Sequence, residues 1–130
     1  MESNWILEGL LNSGEAMNVW NMQLVPEPEN DPLSYFRFQI EIDEDPRLWT
    51  YLDLKVHGPI HYFDRVILLH DEKRGASSKH VYTFRKPWLY SLERNSRYSG
   101  VRRKKPVLGI AFEKTAVNKA AIDHIVKLGV

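Results

Sequence analysis

In the stretch SYFRFQIEID, residues 34–43, bulky apolar residues alternate with polar ones. Phe36 and Phe38 would lie on one side of an extended chain, with charged and amide side chains on the other. This period of two is typical of a β-strand with one buried face. The acidic turn DEDP (43–46) follows, and RLWTYLDLKV (47–56) resumes the alternation. The two segments therefore predict an antiparallel hairpin.

Strand character is also present on the amino-terminal side of this hairpin. MNVWNMQLV (17–25) has Trp20, Met22 and Leu24 at alternate positions, which predicts that these side chains share one face of a strand. Residues 3–12 fit either a helix or a strand, because their apolar spacing satisfies both periods. A strand is favoured, paired with MNVWNMQLV across the turn NSGE.

The carboxy-terminal half contains three more strand segments and one helix. DRVILLH (64–70) and KHVYTFR (79–85) flank the glycine-containing loop DEKRGASS and predict a second hairpin. VLGIAF (107–112) is predicted to be a further strand. TAVNKAAIDHIVKLG (115–129) changes to a helical period and predicts a helix. Its apolar residues at helical spacing are Val117, Ala121, Ile125 and Leu128.

Together these segments predict an α+β fold. It consists mainly of an antiparallel sheet of about six or seven strands, folded into a sandwich or a half-barrel, with a carboxy-terminal α-helix across one face or end. A chain of 130 residues, 43% of them apolar, is long enough to bury one sizeable core. Residues 1–130 are therefore predicted to form a single domain.

Several classes of protein and site are excluded by composition. The chain has no cysteine, which rules out disulfides, a thiolate nucleophile and cysteine-ligated zinc. Its first residues lack the basic segment of a signal peptide, and no stretch approaches the ~20 apolar residues of a membrane span. We therefore expect an intracellular, for example cytoplasmic, protein with no membrane partner. No metal site and no cofactor is predicted.

Charge is distributed unevenly along the chain. Residues 1–65 carry twelve acidic and four basic side chains, whereas residues 66–130 carry five acidic and fourteen basic ones. The net charges of −8 and +9 sum to the net +1 of the whole chain. Such asymmetry is typical of proteins that bind polyanions, and it also arises when an acidic half of a domain lies against a basic half. Both explanations stay open at this stage.

The basic charge is concentrated in the stretch RNSRYSGVRRKKP, residues 94–106, which holds six basic residues and no acidic one. Like charges this close together repel, and an anionic partner would relieve the repulsion. Trp88, Tyr90 and Tyr98 could stack on unpaired bases, as aromatic residues of single-strand binders do. The loop KRGASSK (73–79) resembles a phosphate-binding loop in composition. The predicted ligand-binding residues are Lys73, Arg74, Lys79, Arg94, Arg97, Tyr98, Arg102, Arg103, Lys104 and Lys105.

These residues favour a non-enzymatic module that binds nucleic acid, RNA included, or another phosphorylated ligand. The first alternative is a protein-interaction subunit or an inhibitor, such as an immunity protein or a ring or filament component. It would use opposed acidic and basic faces to bind a protein partner or a second copy of itself.

The second alternative is a Mg²⁺-dependent nuclease. Asp43 would lie at the end of one strand, and Asp53 and Lys55 would share a face of the next strand. This is the arrangement in which acidic groups hold the metal and a lysine steadies the attacking water. An exposed face of ion pairs explains the same residues without catalysis.

Histidines offer two further catalytic hypotheses. His57 and His61 with Asp64 could ligate a metal, and His70 and His80, at adjoining strand ends, could act as acid and base. Histidines at strand ends are more often hydrogen-bonded to backbone groups. The interpretation as a binding module therefore remains the preferred one.

Overall fold

The computed structural model describes residues 5–71, 79–94, 105–116 and 119–128. In this part of the chain one antiparallel sheet has the strand order β5-β4-β1-β2-β3-β7-β6. The strands are β1 (Trp5–Glu8), β2 (Met17–Leu24), β3 (Tyr35–Ile42), β4 (Arg65–Asp71), β5 (Lys79–Arg85), β6 (Trp88–Glu93) and β7 (Val107–Glu113). The helices are α1 (Trp49–His57) and α2 (Lys119–Leu128). The predicted α+β class and antiparallel sheet are confirmed.

The sheet is rolled rather than flat. β5 and β6 lie at opposite edges of the sheet, yet only Lys86 and Pro87 separate them in the chain. The two edges must therefore approach each other at this corner. Phe84 of β5 stacks on Phe112 of β7 with ring centroids 4.5 Å apart, although four strands lie between them in the sheet order. The inward faces of the strands consequently form one shared hydrophobic core.

Most of the predicted strand pairs are present. β1 pairs with β2, with Trp5 opposite Val19, which confirms the strand favoured for residues 3–12. β4 and β5 form the second predicted hairpin. The expectation for β2 is wrong in one respect, because an irregularity between Val19 and Asn21 changes the phase of the alternation. Trp20 therefore lies on the outside, although Met22 is buried.

The predicted strand over residues 47–56 is wrong, because this segment is helical. Asp45 begins it as an N-cap whose carboxylate accepts a hydrogen bond from the backbone N–H of Arg47, and Pro46 occupies the first turn. A short 3-10 turn leads directly into α1. Leu52 is fully buried, whereas Leu54 is 68% exposed, so the residues on the supposed inner strand face point in different directions.

In the carboxy-terminal region, the sequence predicts β7 and α2 but not β6. β7 was expected, but β6, which pairs with its outer edge, was not. α2 confirms the predicted helix and buries Ile122 and Ile125. It begins at Lys119, after a 3-10 turn at Lys114–Ala116. Of the residues predicted for its apolar stripe, Val117 lies outside the described residues. None of the helices in the described ranges is long and apolar enough to cross a bilayer.

Candidate functional site

Three exposed cations meet where β5 turns into β6. Arg65 at the start of β4 and Arg85 at the end of β5 are direct cross-strand partners, and Lys86 follows. The neighbouring Val66 and Phe84 are buried, so period two places both arginines on the outer face. Like charges directly opposite each other destabilise an antiparallel pair. We call Arg65, Arg85 and Lys86 the basic corner.

The backbone holds Lys86 in an unusual conformation. Its φ is +51°, in the left-handed region that a residue with a Cβ enters at a cost of about 1–2 kcal/mol. The Lys86 N–H donates to the carbonyl of Asp64 (3.2 Å), and the Phe63 N–H donates to the carbonyl of Pro87 (2.9 Å). These two bonds extend the β4–β5 pairing into the corner. Strained residues of this kind are enriched at ligand-binding sites.

A row of aromatic rings lies beside the basic corner. Trp88, two residues after Lys86, contacts Tyr35 edge to face with a centroid distance of 5.2 Å. Trp88 also contacts Tyr62 edge to face, with a centroid distance of 5.6 Å. Tyr62 is 53% exposed. The aromatic row, Tyr35, Trp88 and Tyr62, therefore presents ring surface to solvent next to three positive charges.

A cleft of about 470 Å³ opens between the basic corner and the end of β7. This volume lies within the range of roughly 300–1,000 Å³ that is usual for small-molecule sites. Within the described part of the chain, no ion pair engages Arg65, Arg85, Lys86 or Glu113. The cleft is lined by Tyr62, Arg85, Lys86, Glu113 and Thr115.

Only some of the predicted ligand-binding residues can be located. Lys79 begins β5, Arg94 directly follows β6, and Lys105 lies two residues before β7. Seven others lie outside the described residues: Lys73, Arg74, Arg97, Tyr98, Arg102, Arg103 and Lys104.

Arg94 is engaged by this chain's own acidic half. Its guanidinium forms an ion pair with Asp53 of α1 and lies over the ring of Trp49 at 5.4 Å from the ring centre. Both members of the ion pair are partly exposed, which limits its contribution to stability. We call Arg94, Asp53 and Trp49 the first clamp.

Lys105 is held by an equivalent set of groups, the second clamp. Its Nζ lies 3.5 Å from Asp43 and 4.5 Å from the ring centre of Trp20. Asp43 also accepts hydrogen bonds from Trp20 Nε1 (2.6 Å) and Asn18 Nδ2 (3.1 Å). Burial raises the pKa of Asp43, but the bonds from Asn18 and Trp20 and the charge of Lys105 outweigh it and hold that pKa below its ordinary value.

We expect Asp43→Asn to destabilise the fold by about 1 kcal/mol at pH 7, because it removes a charged acceptor that is only partly screened by water. The lowered pKa of Asp43 means that its contribution is present above the unfolded value of about 3.9 and is lost as the pH falls through the folded value. In urea unfolding, the difference in free energy of unfolding between Asp43→Asn and the unmodified protein should therefore become smaller below about pH 4.

The matched control for this prediction is Asp31→Asn. It makes the same chemical change in the acidic loop between β2 and β3, and Asp31 has no ion pair within the described residues. We expect no measurable change in stability. If the free energies of unfolding of Asp43→Asn and the unmodified protein differ by the same amount down to pH 3, Asp43 does not act through its charge.

The basis of the nuclease hypothesis does not hold in the structure. Asp53 and Lys55 lie on a helix, where a spacing of two residues places side chains on different sides rather than on one face. Asp53 belongs to the first clamp and Asp43 to the second, while Lys55 Nζ contacts His61 Nδ1 at 3.4 Å. The three candidates therefore have separate sets of neighbours.

The histidines also lie in different surroundings. His57 ends α1, and the ring of His61 packs against Phe63 with centroids 4.7 Å apart. His70 and His80 are cross-strand partners, as predicted, but His70 is buried with its ring 4.2 Å from that of Trp5. Among the residues that the structure describes, no group of three or more His, Asp or Glu side chains is arranged to hold a metal ion.

The sequence prediction missed the basic corner and the cleft. The signal was the stretch FRKPW (84–88), in which two cations, a proline and aromatic residues follow a predicted strand. A proline directly after a strand indicates a change of direction. The predicted β4–β5 hairpin places Arg65 opposite Arg85, with Tyr62 three residues before Arg65. Glu113 could not have been added from spacing, because the rolling of the sheet brings the end of β7 to this place.

Comparison of the chain with models of protein families, with curated proteins and with solved structures found no match.

Proposed function

We propose that this protein is a non-enzymatic binding module for single-stranded nucleic acid or another phosphorylated ligand. The observation that carries the proposal is the basic corner: Arg65 faces Arg85 across two strands, Lys86 is next to them, and no carboxylate of the described chain pairs with any of the three. An anion placed between these charges would remove their mutual repulsion.

The aromatic row gives the second part of the proposed interface. Every nucleobase has a flat face that can stack on an aromatic ring, and such stacking is worth about 1–3 kcal/mol per base. Tyr62 and Trp88 offer ring surface beside Arg85 and Lys86. Rings and cations side by side match the alternation of bases and phosphates along a strand.

The basic stretch that follows β6 extends the proposed interface. Arg94 lies eight residues beyond Lys86, or roughly 25 Å away if the intervening chain is extended as in a strand. The two clamps pair Arg94 and Lys105 with carboxylates of this chain, so we leave these two residues out of the proposed interface. The remaining charge of that stretch belongs to Arg97, Arg102, Arg103 and Lys104. A ligand that reaches both regions would have to be a polymer of several nucleotides.

The test is fluorescence anisotropy with short labelled single-stranded RNA and DNA at increasing salt. We expect binding at about 50 mM salt, and we expect the logarithm of the binding constant to fall linearly with the logarithm of the salt concentration. The double variant Arg65→Ala with Arg85→Ala removes two cations and should lower the slope by about 1.4, because each phosphate contact on a single strand contributes about 0.7. Affinity at low salt should fall at least about tenfold.

The control is Arg47→Ala, which removes an exposed cation that is already paired with Asp45 outside the corner. We expect its affinity and salt slope to match those of the unmodified protein. Absence of binding to either strand at low salt would contradict the proposal, and so would binding that the corner variant leaves unchanged.

A protein-interaction subunit remains the second proposal. The observation that favours it is the exposure of Leu54 (68%) and Ile60 (63%), two large apolar side chains in and after α1. The opposed charged faces favour it less, because Asp43, Asp53 and Glu27 of the acidic half pair with Lys105, Arg94 and Lys114 of the same chain. Oligomers in size exclusion at low salt, without bound nucleic acid, would favour this proposal over the first.

A further inference from the structure

We infer that the cleft between Tyr62 and Glu113 is a binding site for one ribonucleotide, with its phosphate at Arg85 and Lys86, its base against Tyr62 and its ribose hydroxyls at Glu113. The inference deepens the proposed function and rests on it in one respect, namely that the basic corner binds phosphate. The same nucleotide could be a free molecule or the phosphorylated end of a strand, and these two sources share the chemistry described below.

The cationic side of the cleft fits a phosphate monoester. Arg85 can donate two parallel hydrogen bonds to phosphate oxygens, and Lys86 adds a second positive charge. Both side chains are exposed and lack ion-pair partners in the part of the chain that the structure describes. The left-handed backbone of Lys86, held by the bond from its N–H to Asp64, fixes where this charge emerges.

Glu113 distinguishes this cleft from a simple anion site. A carboxylate repels phosphate, so a ligand that fits must present hydrogen-bond donors, rather than oxygen anions, to this wall. Glu113 ends β7, is the cross-strand partner of Tyr35 and lines the cleft together with Arg85 and Lys86. Ribose hydroxyls are donors common to all ribonucleotides, and a carboxylate is a suitable acceptor for them. Thr115 adds a hydroxyl to the same wall.

Tyr62 favours a nucleotide over a phosphorylated peptide. Tyr62 is about half exposed, and its ring contacts that of Trp88 edge to face. A flat base can stack on such a ring, whereas phosphoserine or phosphothreonine has no flat group to offer. The cleft volume of about 470 Å³ is also sufficient for a mononucleotide.

The experiment is isothermal titration calorimetry of the full chain with adenosine 5′-monophosphate (AMP), its 2′-deoxy form, adenosine, inorganic phosphate and a phosphoserine peptide. We expect AMP to bind most tightly.

Three variants test the three contacts separately. Lys86→Asn removes the charge but keeps a residue that tolerates positive φ, and it should weaken AMP binding about tenfold. Tyr62→Ala should weaken AMP binding but not phosphate binding. Glu113→Gln should remove the preference for AMP over the deoxy form.

Short RNAs with and without a 5′-phosphate distinguish the two sources of the nucleotide. A preference for the phosphorylated end, lost in Lys86→Asn, would assign the site to strand ends. Equal binding of both RNAs with retained AMP binding would assign it to free nucleotides.

The inference is overturned if phosphate or the phosphoserine peptide binds as tightly as AMP. It is also overturned if AMP does not bind while RNA still binds through Arg65 and Arg85, a result that leaves the proposed function standing. If neither AMP nor RNA binds, both proposals fail.

Discussion

Phe112→Ala is expected to destabilise the fold by about 4 kcal/mol, because it removes a large buried side chain and leaves a cavity. Phe112 is 1% exposed and stacks on Phe84 at 4.5 Å and on Phe38 at 5.6 Å. Phe84 belongs to one side of the rolled sheet, and Phe38 and Phe112 belong to the other. The substitution therefore removes one of the contacts that join the two sides. A cost of this size is a large part of the total stability of a domain, about 5–15 kcal/mol.

Urea unfolding followed by tryptophan fluorescence measures this effect as a lower midpoint. The control is Val81→Thr on β5, where the side chain is 57% exposed and the replacement keeps the branched shape suited to a strand. We expect a change within about 0.5 kcal/mol for the control. A cost below about 1.5 kcal/mol for Phe112→Ala would mean that the rolled sheet is not held together by this stack.

The strands were predictable wherever burial follows a simple alternation. Phe38 and Ile40 of β3 are both 3% exposed, as the period of two requires. The same rule failed at 47–56, where Leu48, Leu52 and Val56 also fit a helical spacing of four residues. The deciding signal is local: Asp45 followed by Pro46 is a helix start, although the same residues are also typical of a turn.

The candidate site was harder to predict than the fold. Composition located the excess of positive charge in the carboxy-terminal half, but it could not show which cations are already paired. Arg94 and Lys105 belong to the predicted loop and are paired with Asp53 and Asp43, whereas Arg85 was not singled out and has no ion-pair partner within the described residues. Pairing depends on contacts between distant parts of the chain, which exist only after the sheet has rolled.

Gly9→Ala is expected to cost at least about 3 kcal/mol, more than glycine substitutions in loops usually do. Gly9 has a φ of +100°, and a Cβ built at this residue would lie 2.4 Å from the carbonyl oxygen of Arg65. That oxygen is a backbone atom of β4, which pairs with β1 next to the glycine, so it cannot move aside as a side chain would. The added methyl group must push β4 away from the β1–β2 loop and, with it, the first residue of the basic corner.

Gly14→Ala separates this steric effect from backbone strain. Gly14 also has a positive φ, +78°, but apart from its chain neighbours no atom of the described residues lies within 4 Å of the position that its Cβ would take. Its substitution should therefore cost only the price of the conformation itself, about 1–2 kcal/mol. The difference between the two urea midpoints measures how closely β4 approaches Gly9. Equal midpoints would show that β4 does not pack against the glycine, and the position of Arg65 in the corner would then lack its structural basis.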